Sequence, residues 1–370
     1  MSYRFHVIGL PNTIVSKEWS NCAYTQKVLK FVTMMRSLGH EVYLYSAEGA
    51  ETNANEQITC ITKNEQDFMI GIKKPEDNLK AEFNPEKPYW KRMNQRVIEN
   101  LKSRIKPKDF ICVIAGRCQK EIADAFPQNL TVEFGIGYDG VFSNYKVFES
   151  YTWQNAVYGA QSGASGANGN FYDAVIPNYY DPRDFPYSEK KEDYFLFIGR
   201  LTERKGYQIA VDVCKKLKAR LIIAGQGTPP EYGEYVGTVG PEKRGELMAY
   251  AKAVFVPTLY LEPFGGVSIE ALFCGTPIIT TDWGCFTENN IHGKTGYRCR
   301  TMAQFEWAAR NVDKIKPADC RTFAMNFSMD KVKLMYQAYF DQLYGLWDGG
   351  FYNTKQVSQM NWLNKNYAFT

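Results

Sequence analysis

Short apolar runs rich in β-branched and aromatic residues alternate along the chain with stretches whose apolar positions recur every three or four residues. That alternation predicts parallel sheets joined by crossover helices. In the first half, 5–10, 42–46, 110–115 and 130–134 read as strands. Val28, Phe31, Val32, Met35 and Leu38 share a helix face closed by Gly39, and Val97, Ile98, Leu101 and Ile105 mark another helix. The polar, proline-bearing stretch 51–89 shows no clear period. The glycine- and serine-rich 159–170 reads as a mobile loop, and 174–178 as a strand running into a turn.

A second alternation follows a charged linker at 188–193. It comprises a strand at 194–198, a helix carrying Ile209, Val213 and Leu217, and strands at 220–224, 253–257 and 277–281, with a helix at 266–274 before the last of them. Val332, Met335, Tyr336, Tyr339, Phe340 and Leu343 form the apolar face of a long final helix over 330–346. The pattern predicts two α/β domains with a hinge at 177–193. Proteins of that class place a ligand at the carboxyl ends of the strands.

Composition narrows the function. With 370 residues and 45% hydrophobic content, each of two domains can bury a core, which excludes disorder as the main theme. The net charge of +4 is scattered and not gathered into a basic face, which argues against nucleic acid as partner. Nine cysteines, an odd number without a C-x-x-C pair, fit reduced thiols in the cytoplasm better than a disulfide framework or a metal site. The first ten residues lack a signal-peptide pattern and no run approaches eighteen apolar residues, so the sequence reads as neither secreted nor membrane-spanning. Aromatic content of 15% leaves peripheral membrane contact open. Oligomeric state is not legible.

The segment from Glu262 through Pro263, Phe264, Gly265, Gly266 and Val267 to Glu270 is the richest in chemistry. Gly265 and Gly266 let backbone approach a ligand where a helix begins, and bare helix amides attract anions. Glu270 enters a largely apolar helix and needs a polar partner, which two vicinal ribose hydroxyls would supply. The plainer alternative makes Glu262 a solvated loop residue and Glu270 a first-turn dipole partner. On the strand-to-helix turn 197–206, Arg200 and Lys205 could clamp a pyrophosphate, although either one alone reads as an ordinary loop cation. Together the two segments point to a nucleoside diphosphate site.

These residues carry a resemblance. Ile176-Pro-Asn178, Gly199-Arg200, Lys205-Gly206, Ala224-Gly225-Gln-Gly227, Val236-Gly237, the two glutamates with seven residues between them, Gly275-Thr-Pro277 and Gly293-Lys-Thr-Gly296 occur in the order seen in retaining, nucleotide-sugar-dependent glycosyltransferases of the GT-B fold. The resemblance implies two Rossmann-like domains facing a cleft, over 1–180 and 181–335, with 336–370 returning to the first domain and Trp362 and Tyr367 packing there. It implies Arg200 and Lys205 on the diphosphate, Glu270 on the ribose, Thr238 and Val239 at the base, and Glu262 with the amides of Phe264, Gly265, Gly266 and Val267 at the donor sugar. Glu262, Lys205 and Arg200 would then be the catalytic set, with no metal and no cofactor beyond the nucleotide-sugar co-substrate.

The first half matches that family only in outline. The loop at 11–21 has no glycine pair, and the histidines are His6, His40 and His292, none of them at the strand end where the family commonly carries one. Glu133 stands roughly there, which makes Glu133, Tyr138 and Asp139 acceptor-side candidates, with a structural strand-end turn as the equal alternative. Gly135-Ile-Gly137-Tyr-Asp-Gly140 spells a dinucleotide fingerprint, but no helix opens at Gly140 and no acidic strand end follows at the right distance, so it reads as a flexible turn. The expected activity is transfer of a sugar from a nucleoside diphosphate to an acceptor hydroxyl, on a glycan or other molecule, with retention. A nucleotide-sugar epimerase or hydrolase, a dinucleotide oxidoreductase and an inactive nucleotide-sugar-binding protein are the alternatives.

Overall fold

The computed structural model describes residues 2–72, 74–75, 82–162 and 169–346. The chain divides into two compact units, one of 1–149, 157–179 and 332–370, the other of 150–156 and 180–331. Trp362 and Tyr367 lie outside the described residues, as do 163–168.

The first unit is built on β1 (Arg4–Ile8), α1 (Ala23–Ser37), β2 (Glu41–Ala47), β3 (Glu56–Ile61), α2 (Lys63–Ile70), α3 (Pro88–Lys102), β4 (Phe110–Val113), α4 (Lys120–Asp124), β5 (Leu130–Ile136), β6 (Tyr145–Phe148), the later part of α5 (Tyr151–Ser162), whose residues 151–156 belong to the second unit, and β7 (Ala174–Val175). All its strand pairs are parallel, in the order β3-β2-β1-β4-β5-β6-β7. β4 and β5 are buried nearly throughout, as strands covered on both faces must be. One cover is α1, whose Phe31 stacks on Phe134 of β5 with centroids 4.4 Å apart. Another is the later part of α12 (Met329–Tyr344), whose Phe340 packs on Phe5 and Phe110 at 4.6 and 4.9 Å.

The second unit holds β8 (Phe195–Ile198), α6 (Tyr207–Leu217), β9 (Leu221–Ala224), β10 (Glu234–Tyr235), α7 (Pro241–Tyr250), β11 (Ala253–Val256), α8 (Gly266–Phe273), β12 (Ile278–Thr281), α9 (Phe286–Asn289), β13 (Gly296–Cys299), α10 (Met302–Asn311) and α11 (Pro317–Ala324). Its sheet is also parallel, in the order β10-β9-β8-β11-β12-β13. The order reverses between β8 and β11. At such a switch point the two following loops part and leave a crevice beyond the strand ends.

Several expectations are corrected. The unassigned stretch 51–89 contains β3, α2 and the start of α3, and α2 opens on a capping box in which Thr62 and Glu65 bond each other's backbone amides. The expected loop at 159–170 is helical through Ser162, where α5 ends. β6 went unread because Lys146 interrupts its apolar run; the ammonium is buried and paired with Asp173 at 3.1 Å. Gly135 and Ile136 belong to β5, so the glycine-rich 135–140 is in part strand.

The linker at 188–193 is anchored. Lys191 Nζ donates to the Ala249 carbonyl and to Thr276 Oγ1, both at 2.7 Å, and burial lowers its pKa to about 8.

Candidate functional site

The crevice of the second unit is lined by what leaves β8 and β11. Gly199 and Arg200 follow β8, and the turn then runs to Lys205 and Gly206. Gly206 has φ +67 and a Cβ there would lie 2.0 Å from the Pro257 carbonyl oxygen, so only glycine lets this turn press against the end of β11. From β11 the chain passes through Thr258, Tyr260 and Glu262 to the αL residue Gly265, φ +71, which opens α8. Lys205, Thr258, Glu262, Gly265, Gly266 and Val267 share one small cavity of about 120 Å³ with the ends of β8 and β11.

Lys205 and Glu262 meet directly, Nζ to Oε2 at 2.7 Å. Beside them, the amides of Gly266 and Val267 open α8 without an acceptor inside the helix, at the end of the helix that favours negative charge. Phe264 contributes backbone alone, because its ring is buried against Tyr180 and Phe327. Thr258 Oγ1 is buried without a hydrogen-bond partner. Arg200 is exposed at the rim.

Glu270 sits one turn into α8, half-buried among Ser268, Ile269, Ala271 and Leu272, which are fully covered. Its polar partner is Arg244 of α7, in direct ion-pair contact with it, while Arg244 Nε is buried and unbonded. Thr238 and Val239 follow β10 on the same strand-end edge, Thr238 exposed and Val239 half-buried against the core. Neighbouring backbone is fixed by the Gly225 amide donating to the Gly237 carbonyl at 2.8 Å. All the expected donor-side residues therefore lie on the carboxyl edge of one sheet.

Sequence reasoning missed Arg204, Arg244 and Tyr260. Arg204 lies between the two cations that were read, and a basic run of this kind was its one signal. Arg244 and Tyr260 have none, since the contacts that bring them to the site, Arg244 with Glu270 and Tyr260 with Arg204 and Lys205, join elements distant in sequence.

In the first unit, Glu133 is fully buried on β5, and burial raises its pKa. Its carboxylate accepts from the amides of Phe142 and Ser143 at 2.8 Å each and from the Tyr138 hydroxyl at 3.2 Å. The carboxylate thus ties down the turn that follows β5. Tyr138 is buried and Asp139 exposed. A buried ion pair that the sequence did not reveal joins Lys27 of α1 to Glu149 at 2.5 Å, with Lys27 also donating to the Gly135 carbonyl.

Residues 182–316 match the family model of glycosyl transferases group 1. A glycogen synthase of Mycobacterium tuberculosis is 30% identical over 162 residues, covering 37% of this chain and 39% of that protein. A D-inositol 3-phosphate glycosyltransferase of Pseudarthrobacter chlorophenolicus is 29% identical over 136 residues, 31% of this chain and 32% of that one. The chain spans well under half the length of these curated relatives. Among solved structures, a glycosyltransferase of avilamycin A biosynthesis superposes with a TM-score of 0.65 at 19% identity, covering 93% of this chain and 98% of that one. The Anabaena protein HepE, solved with UDP and glucose, gives 0.62 at 14% identity over 92% and 99%. At such identities the structural likeness shows the fold. The strand-end motifs lie within a segment that matches the glycosyl transferases group 1, and the chain has the GT-B fold.

Proposed function

We propose that this protein transfers a sugar from a nucleoside diphosphate donor, UDP- or GDP-linked, to a hydroxyl of a glycan or other acceptor, with retention of anomeric configuration. The observation that carries the reading is the meeting of Lys205, Glu262 and the opening amides of α8 in one cavity at the switch point of the second unit. A cation and helix amides suit a diphosphate that gains charge as it leaves, and do there what a metal ion does elsewhere. A carboxylate beside them suits the positive charge that develops on the sugar. Arg200 and Lys205 hold the diphosphate, Glu270 accepts hydrogen bonds from the ribose hydroxyls beside its partner Arg244, and Thr238 and Val239 border the base. The departing phosphate oxygen then helps deprotonate the acceptor on the same face.

All nine cysteines are free and buried, which supports a reducing, cytoplasmic setting. Among the described residues no helix is long and apolar enough to cross a membrane.

Incubation with UDP- and GDP-sugars and a panel of hydroxyl acceptors, followed by NMR of the anomeric proton, tests the reading. A new glycoside with the donor's configuration is expected. A changed donor without glycoside identifies an epimerase or hydrolase, and no change at all identifies a binding protein.

A further inference from the structure

We propose that Thr258 is a binding residue of this site, whose hydroxyl donates to a phosphate oxygen of the donor's diphosphate. The inference rests on the donor reading above and names a further residue that meets the same group. Thr258 is 1% exposed and lines the cavity shared by Lys205, Glu262, Gly265, Gly266 and Val267. Its Oγ1 is buried and has no hydrogen-bond partner among the described residues. An unpaired buried hydroxyl costs free energy, and valine, of nearly the same shape, would avoid that cost. The hydroxyl therefore serves something other than the ligand-free fold.

The backbone that carries this hydroxyl is fixed by contacts that leave the side chain out. The Thr258 carbonyl accepts from Thr281 Oγ1 of β12 at 2.8 Å, and the Leu259 amide donates to the Arg204 carbonyl at 2.9 Å. The preceding Pro257 carbonyl lies against Gly206, where no Cβ fits. Thr258 is thus held between β12 and the turn after β8 with its hydroxyl unbonded, an arrangement suited to receiving a ligand. The groups around the same cavity say which kind. Lys205 and the opening amides of α8 are donors, and the hydroxyl, which finds no acceptor in the protein, adds another. A diphosphate oxygen is charged, offers several lone pairs and accepts from several donors at once.

Two variants and two measurements test this. Thr258→Val removes the hydroxyl and keeps the branched shape, while Thr258→Ser keeps the hydroxyl. In thermal melts without ligand, Thr258→Val should equal the wild type or exceed it by up to about 3 °C, because no stabilising bond is lost. In calorimetric titrations of bare UDP or GDP, Thr258→Val should bind roughly ten- to hundredfold more weakly and Thr258→Ser within about threefold of the wild type. The bare nucleotide has no sugar, so a loss there excludes the sugar as the partner. Unchanged nucleotide affinity in Thr258→Val overturns the proposal, whatever its melting temperature. A Thr258→Val protein that melts well below the wild type also overturns it, since the hydroxyl then serves the ligand-free fold. Equal loss of affinity in Thr258→Ser and Thr258→Val overturns it as well, because shape and not the hydroxyl is then what counts. A wild-type protein that binds neither nucleotide contradicts the donor reading, and this proposal with it; a wild type that binds, beside a Thr258→Val protein that binds equally, contradicts this proposal alone.

Discussion

Lys205 and Glu262, 57 positions apart in sequence, form an ion pair of 2.7 Å at the point where the strand order of the second unit reverses, with side chains only 23% and 14% exposed. The pair makes the two residues rivals before a donor binds. Glu262→Ala frees Lys205, so nucleoside diphosphate affinity should be unchanged or a few-fold stronger, while turnover falls at least tenfold. Lys205→Ala should lose both, with affinity down roughly ten- to hundredfold. Calorimetric titration beside initial rates separates the two. Loss of nucleotide binding in a folded Glu262→Ala protein would reverse the roles assigned here.

Glu270 and Arg244 form the second pair of the site. Arg244→Met leaves the half-buried carboxylate without its cation and should lower stability by about 1–2 kcal/mol, between the values for exposed and buried pairs. In a thermal melt, that loss should be smaller in the Glu270→Gln, Arg244→Met double variant, since no charge is then stranded. Additive losses would show that the two side chains do not interact.

Gly265 joins the loop after β11 to α8 in a left-handed conformation, and a Cβ at this position would lie 2.8 Å from Phe286 Cε1. Gly265→Ala should cost about 1–2 kcal/mol for the backbone alone. It should also weaken nucleotide binding, because the amides of Gly266 and Val267 turn with it. A variant of normal melting temperature and normal affinity would mean that the αL turn is not needed.

His6 supplies a pH dependence in the first unit. The ring is fully buried, its Nε2 3.0 Å from Asp109 and its Nδ1 2.9 Å from the Tyr45 hydroxyl, and burial holds its pKa below the ordinary 6.5. Folding therefore favours the neutral ring. The stability this contributes is complete above pH 6.5 and is lost as pH falls from there through the lowered folded value, where the unfolded chain binds the extra proton. Thermal melts from pH 8 to 5 should show this decline in the wild type and a shallower one in His6→Gln. Some slope should persist, because burial also lowers the His40 pKa. An identical profile in the variant would exclude His6 as its source.

What was legible in the sequence follows from which forces act locally. β8, β9, β11 and β12 are each buried throughout, and they stand out as apolar runs because both faces of a parallel strand are covered. Glu262, Glu270, Arg200 and Lys205 could be read because glycines and a proline mark the loops that carry them. β6 was hidden by a lysine whose partner, Asp173, lies beyond the next helix. The start of α5 was hidden likewise, since its first amides, those of Tyr151 and Thr152, donate to the carboxylate of Glu288, more than 130 positions away. α2 had a visible signal in Thr62 and Glu65, outweighed by the polar residues around it. Arg244 and Tyr260 act across loops, and no local pattern encodes such contacts.

Lys205, Glu270 and the start of α8 should together bind a nucleoside diphosphate. The most direct test is calorimetric titration of UDP, GDP and ADP into the wild-type protein and into Glu270→Ala and Lys205→Ala. Saturable binding of at least one nucleotide is expected, weakened roughly ten- to hundredfold in each variant. Thermal melts give a parallel reading, since a nucleotide at 100 times its Kd adds about 2.7 kcal/mol to wild-type stability. Absence of binding by all three at millimolar concentration, or equal affinity in wild type and both variants, would contradict it.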